Sequence, residues 1–126
     1  MVGTVLVSHS KALVDALAEV VRLMAPEAPV AVAGGLEDGS FGTSYEAIER
    51  AIGEVSGPDG VVVIVDLGSS VLTTKMVLED LGRDDVRLAD CPFVEGAIEA
   101  TVRAQAGADI ASIIEGLAAL RSKSKL

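Results

Sequence analysis

The stretch Gly60-Val61-Val62-Val63-Ile64-Val65-Asp66-Leu67-Gly68-Ser69-Ser70 decides the fold. Its apolar part, Val61 to Val65, is unbroken and β-branched throughout. A strand with one wet face alternates apolar and polar residues, so an unbroken run predicts a strand covered on both faces, as at the centre of a parallel sheet. The run is far shorter than the ~20 residues that a membrane helix requires. Asp66 ends it, and Leu67-Gly68-Ser69-Ser70 lead into helical sequence that reaches Leu81-Gly82.

Working outward from this strand, the period alternates between that of a strand and that of a helix. Upstream, Gly57-Pro58-Asp59-Gly60 is turn chemistry. Before it, Ala47, Ile48, Ala51, Ile52 and Val55 form a helical stripe, with Thr43 and Glu46 at capping-box spacing. A strand at Val30 to Ala33 runs into Gly34-Gly35. Leu13, Val14, Leu17, Val20, Val21 and Met24 form another helical stripe, capped by Ser10 and ended by Pro26. The short run Gly3 to Val7 reads as the first strand. Downstream come a weaker strand at Val86 to Ala89, a helix from about Glu95 to Ala106, and a last helix capped by Asp109. Strands and helices alternating at this spacing predict an α/β three-layer sandwich, with a mainly parallel four-stranded sheet and helices on both faces. Residues 1–121 form one domain on this reading, and residues 122–126 a tail.

Composition narrows the function. The chain has 126 residues, half of them apolar, which excludes a disordered polymer. Aromatic residues make up only 2%, so Val, Ile, Leu and Ala must build the core. A formal charge of −9 argues against nucleic-acid binding and against an electrostatic membrane anchor. Cys91 is the only cysteine, which fits a reducing cytoplasm, and its apolar setting beside Pro92 suits a structural thiol. With one cysteine and one histidine, no thiolate or imidazole metal site is expected, and no cofactor motif is present. No signal-peptide pattern is found, so a soluble cytoplasmic protein is expected.

In a parallel sheet all strands end on the same edge, and ligands bind there. Ser8-His9-Ser10, Gly34-Gly35 and Asp66 to Ser70 all fall at that edge. If the first and third strands are neighbours, His9 and Asp66 come within reach of each other. A carboxylate on one imidazole nitrogen fixes the tautomer and supports positive charge developing from attack at the other. Helix N-termini beside both residues offer N–H groups to an anion. The bland readings stand beside this one: His9 as a solvent-facing turn residue, Ser10 and Asp66 as caps, and Gly34-Gly35 as a tight turn. Nucleotide P-loop, dinucleotide fingerprint and nucleophile-elbow motifs are all absent.

Five stretches, VSHS (7–10), GGLEDGSFGTS (34–44), VDLGSS (65–70), CPFVEGAIEATV (91–102) and GAD (107–109), carry a resemblance over nearly the whole chain. In order they resemble the mannose-type enzyme IIA family of the bacterial phosphotransferase system. Within that family they resemble the phosphoryl-carrier subunits of phosphoenolpyruvate-dependent dihydroxyacetone kinase. The resemblance implies a homodimeric α/β sandwich, with the histidine after strand one, matching His9, taking phosphate from the phosphocarrier HPr. The family's aspartate after strand three matches Asp66. In this branch the phosphoryl group passes to ADP held on a partner kinase subunit, so the carrier itself would touch neither the sugar nor free ATP. Ser10, where sugar-transporting relatives carry glycine, and VEGAIEATV in place of an Asn-rich loop both favour this branch.

The expected site therefore has His9 as acceptor through Nε2 and Asp66 on Nδ1. Ser10, Gly68, Ser69 and Ser70 surround the phosphoryl oxygens. Thr43 approaches the same edge, although capping alone also explains that residue. A sugar-specific enzyme IIA component, a small hydrolase using Ser69 or Ser70 with His9 and Asp66, and a non-catalytic interaction module remain as alternatives.

Overall fold

A computed structural model describes residues 1–126. Strand β1 (Gly3–Ser8) is followed by α1 (Lys11–Met24), β2 (Val30–Gly34), α2 (Tyr45–Val55) and β3 (Val61–Val65). Then come α3 (Gly68–Leu81), β4 (Val86–Leu88), α4 (Phe93–Gln105) and α5 (Ile110–Ala119), closed by one 3-10 turn at Leu120–Ser122. The sheet order is β2-β1-β3-β4, and every pairing is parallel. The three-layer α/β architecture expected from the sequence is the observed one, with β1 and β3 as neighbours.

Side-chain parity along the strands divides the core in two. Val2, Leu6, Val62 and Ile64 face α1, α4 and α5, packing on Val14, Leu17, Val21, Ala97, Ala100, Ala104, Ile113 and Leu117. Val5, Val7, Val61 and Val63 face the opposite way, against Ile48, Ala51, Ile52 and Val77 of α2 and α3. Both faces of β3 are therefore dry, which is why its sequence does not alternate. Each fully buried Val, Leu or Ile contributes about 1.5–3 kcal/mol relative to leaving it in water.

Helix starts show where local signals were sufficient and where they were not. Ser10 caps α1 as expected, its hydroxyl accepting the Leu13 N–H at 3.2 Å. The expected Thr43 cap of α2 is not observed. Ser44 takes that place and accepts the Ala47 N–H at 3.2 Å, so the helix begins one residue later than the capping-box spacing implied. Helix α4 begins at Phe93, directly after Pro92, two residues ahead of its expected start at Glu95. Gly34 has a packing reason: a Cβ there would meet Val14 Cγ1 and lie 2.9 Å from Lys11 Cα. The end of β2 can thus pass directly under the first turn of α1. Gly35 follows at φ +67, a left-handed conformation that glycine adopts freely. At the C-terminus, Lys125 pairs with Glu95 of α4 at 3.0 Å. No helix is long and apolar enough to cross a membrane.

Candidate functional site

The site is assembled where β1 and β3 run out together. Val7 pairs with Val65, and the ladder continues one step further, with the Asp66 N–H donating to the Val7 carbonyl at 3.2 Å. Ser8 and Asp66 therefore stand side by side. Parity places both on the α1/α4 side of the sheet, in line with Leu6 and Ile64. The chain then turns at His9, which lies between the end of β1 and the Ser10 cap of α1.

Asp66 is the hub. Its side chain is only 8% exposed. Oδ2 accepts the Ser8 hydroxyl at 2.8 Å and the His9 backbone N–H at 3.1 Å. Oδ1 accepts the Leu67 N–H at 2.7 Å and the Ser70 hydroxyl at 2.8 Å, and lies 3.1 Å from His9 Nδ1. Burial works against ionisation of this carboxyl and is the largest single influence on it. The hydrogen bonds from Ser70, Ser8 and the His9 and Leu67 amides together outweigh burial and hold the group below its ordinary value of 3.8. An ionised carboxylate can only accept, so Nδ1 carries the imidazole proton and Nε2 presents a lone pair.

Nε2 points toward the start of α3, where it meets the Ser69 hydroxyl. The Ser70 hydroxyl lies 3.4 Å from Nδ1 on the same turn. Thr43, released from capping, brings its hydroxyl within 3.2 Å of Ser69 Oγ and 3.3 Å of Ser70 Oγ. Gly68, the first residue of α3, has open space where a side chain would stand. No side chain caps α3. The backbone of the turn is also secured, the Gly42 N–H donating to the His9 carbonyl at 3.2 Å and the Gly35 N–H to the Ser8 carbonyl at 3.1 Å.

Of the expected site residues, His9, Asp66, Ser69, Ser70 and Thr43 come together, with Gly68 at the base of the same turn. Ser10 differs: its hydroxyl is committed to the Leu13 N–H of α1, and its own N–H donates to Ser8 Oγ at 3.0 Å. Ser8 is the residue that sequence reasoning left unexplained, and it proves to be a direct partner of Asp66. Strand parity carries a usable signal for it, because residues at matching steps on adjacent parallel strands share a face.

The sequence pattern that lies on this scaffold has a known family. Residues 3–114 match the family model for EIIA-man, described as PTS system fructose IIA component. The chain belongs to this family. Among EIIA-man relatives, the phosphoryl donor subunit DhaM of phosphoenolpyruvate-dependent dihydroxyacetone kinase from Escherichia coli is 38% identical over 98% of this chain, and this chain spans only 28% of that relative's length. Shorter relatives match across most of their length. The phosphoryl donor subunit DhaM of dihydroxyacetone kinase 1 from Listeria innocua is 33% identical, with 82% of each chain covered. The DhaM phosphotransferase subunit from Lactococcus lactis is 33% identical, with 91% of this chain and 92% of the relative covered. A crystal structure of a protein of unknown function superposes with a TM-score of 0.87 at 26% identity, covering 100% of this chain and 99% of the other. A sigma-54 interaction domain protein from Enterococcus faecalis shares the fold, with a TM-score of 0.71 at 14% identity over 94% of this chain and 88% of that one.

Proposed function

We propose that this EIIA-man chain is a cytoplasmic phosphoryl carrier of the dihydroxyacetone kinase system. His9 Nε2 takes the phosphoryl group of phosphorylated HPr and passes it to ADP held on the kinase's nucleotide-binding subunit, and the carrier works as a homodimer. The observation that carries this reading is the His9–Asp66 contact at 3.1 Å, which leaves Nε2 as the nucleophile at the uncapped start of α3. The names of the relatives, phosphoryl donor or phosphotransferase subunits of dihydroxyacetone kinase, support that kinase system as the destination.

The step balances without moving a proton. The Nε2 lone pair attacks phosphorus as the donor's nitrogen–phosphorus bond breaks, and the donor imidazole leaves with that electron pair. The His9 ring keeps its Nδ1 proton and gains positive charge, which Asp66 offsets. Ser69, Ser70 and Thr43 hydroxyls, with the first amides of α3, offer donors to the phosphoryl oxygens, as expected at an anion-binding helix terminus.

One observation favours a second reading. Ser69 Oγ on Nε2 and Asp66 on Nδ1 reproduce the order of a Ser-His-Asp hydrolase. Against it, neither of two cavities near the site is lined by His9 or Ser69: one of about 240 Å³ is lined by Gly34, Gly35 and Arg50 among others, and one of about 540 Å³ by Asp66 and Cys91 among others.

The test is incubation with phosphoenolpyruvate, enzyme I and HPr. The expected result is acid-labile, base-stable phosphate on wild type and none on His9→Ala. Addition of the ADP-loaded kinase subunit then discharges the label; retention of label would point instead to a sugar-specific component. Absence of label from folded wild type with active donors refutes the proposal. Ser69→Ala retains labelling on this reading, whereas a hydrolase loses its nucleophile.

A further inference from the structure

Ser8 is 1% exposed at the end of β1, and its hydroxyl uses both of its hydrogen-bonding capacities. It donates to Asp66 Oδ2 at 2.8 Å and accepts the Ser10 N–H at 3.0 Å. Alanine would fill nearly the same volume, and the strand ladder there is made by backbone atoms. The hydroxyl is therefore present for its bonds. One of these goes to the carboxylate that governs the His9 ring.

A carboxylate offers about four acceptor sites. Asp66 is approached by five donors: Ser8 Oγ and the His9 N–H on Oδ2, and the Leu67 N–H, Ser70 Oγ and His9 Nδ1 on Oδ1. The imidazole therefore competes for charge with four other groups. Each of them draws down negative charge that the ring would otherwise receive. The only other side-chain contacts of the ring are the neutral Ser69 and Ser70 hydroxyls, so this competition sets how much carboxylate charge acts on the ring.

The strength of that hold has a chemical consequence at Nε2. A phosphoryl group on Nε2 makes the ring cationic, because Nδ1 keeps its proton. When an acceptor oxygen, that of water in the absence of a partner, attacks phosphorus, the nitrogen–phosphorus bond breaks, its electron pair returns to Nε2, and the ring becomes neutral. Stronger attraction from Asp66 favours the cationic state and so delays departure; weaker attraction speeds it. We infer that Ser8 is a positioning residue that moderates the pull of Asp66 on the His9 ring and thereby keeps a phosphoryl group on Nε2 readily transferable. This rests on the phosphoryl-carrier reading of the site.

The experiment separates the two ideas by loading His9 chemically with phosphoramidate, which needs no protein donor. The decay of phosphohistidine is then followed by phosphorus NMR in wild type, Ser8→Ala, Ser8→Cys, Ser8→Thr and Asp66→Asn, and in Ser8→Ala combined with Asp66→Asn. Removing the hydroxyl lengthens the half-life about three- to tenfold, a fraction of the full weight of a hydrogen bond to a charged group. Ser8→Thr, which keeps the hydroxyl, retains the wild-type half-life, and Ser8→Cys, with its weaker donor, falls between. In the Asp66→Asn background, Ser8→Ala has no further effect, because the coupling runs through the carboxylate.

An unchanged or shortened half-life in folded Ser8→Ala overturns the inference, as does an equal lengthening in the Asp66→Asn background. Failure of phosphoramidate to load wild-type His9 overturns it together with the carrier reading. Loading by phosphoramidate but not by phosphorylated HPr overturns only the donor assignment, and the Ser8 comparison is still read.

Discussion

Replacing Asp66 with asparagine tests the site most directly, because so much converges on one carboxylate. The amide nitrogen must take the place of either Oδ1 or Oδ2. At Oδ1 it faces the Leu67 N–H, and at Oδ2 it faces the His9 N–H, so either orientation sets a donor against a backbone donor. An unsatisfied buried N–H costs about 1–3 kcal/mol. The bonds that survive also fall from charge-assisted to neutral strength, roughly half. Together these predict a loss of about 2–4 kcal/mol in folding stability for Asp66→Asn, read as a lower urea midpoint at neutral pH. The acid limb should change as well. Asp66 is held below 3.8 in the folded state, so the stability it contributes is present above that value and drains away as pH falls through the folded value. Asp66→Asn flattens that part of the pH profile. For function, an amide no longer imposes a proton on Nδ1, and in Ser-His-Asp catalysts the same change costs about 10⁴ in rate. Phosphoryl uptake from HPr, followed by quench-flow, is expected to fall by about 10²–10⁴. A folded Asp66→Asn protein that takes up phosphate at the wild-type rate, with an unchanged urea midpoint, refutes the account of Asp66 as hub.

Two further predictions concern the scaffold. Gly34→Ala places a methyl against Val14 Cγ1 and the Lys11 backbone, forcing α1 away from β2, and should lower stability by about 1–3 kcal/mol in thermal or urea melts. Cys91 is half-buried beside the carboxylate of Asp90, and desolvation first, then that charge, pushes its thiol up to about 11. Native protein at neutral pH should therefore react with iodoacetamide far more slowly than the urea-unfolded chain; equal rates would contradict the packing of Cys91 against Gly96.

What was legible in the sequence follows from how local each cause is. The run Val61 to Val65 announces a strand covered on both faces, because solvent on either side would have selected alternation. The approach of His9 to Asp66 needed only the strand order, since parallel strands deliver their ends to one edge. Thr43 and Ser44 lay beyond such reasoning. Both are hydroxyl residues at a helix start, and the choice between them is made by the Ser69 and Ser70 hydroxyls, 26 and 27 residues away in the chain. Gly34 was ambiguous for a similar reason, because turn and close-approach glycines look alike until the helix above is in place. Ser8 carries no chemical signal in its residue type, and only strand parity, one step beyond the Val7–Val65 pair, sets it beside Asp66.

The securing of the turn at His9 has a consequence for how two proteins could meet there. The backbone N–H and the ring of His9 are both held by Asp66, and its carbonyl is held by the Gly42 N–H. Only 23% of the side chain reaches solvent. A ring anchored in this way cannot swing outward like a lever arm to collect or deliver its cargo. The travelling must be done by the visitor, whose own reactive atom has to protrude far enough to meet a recessed and stationary nitrogen.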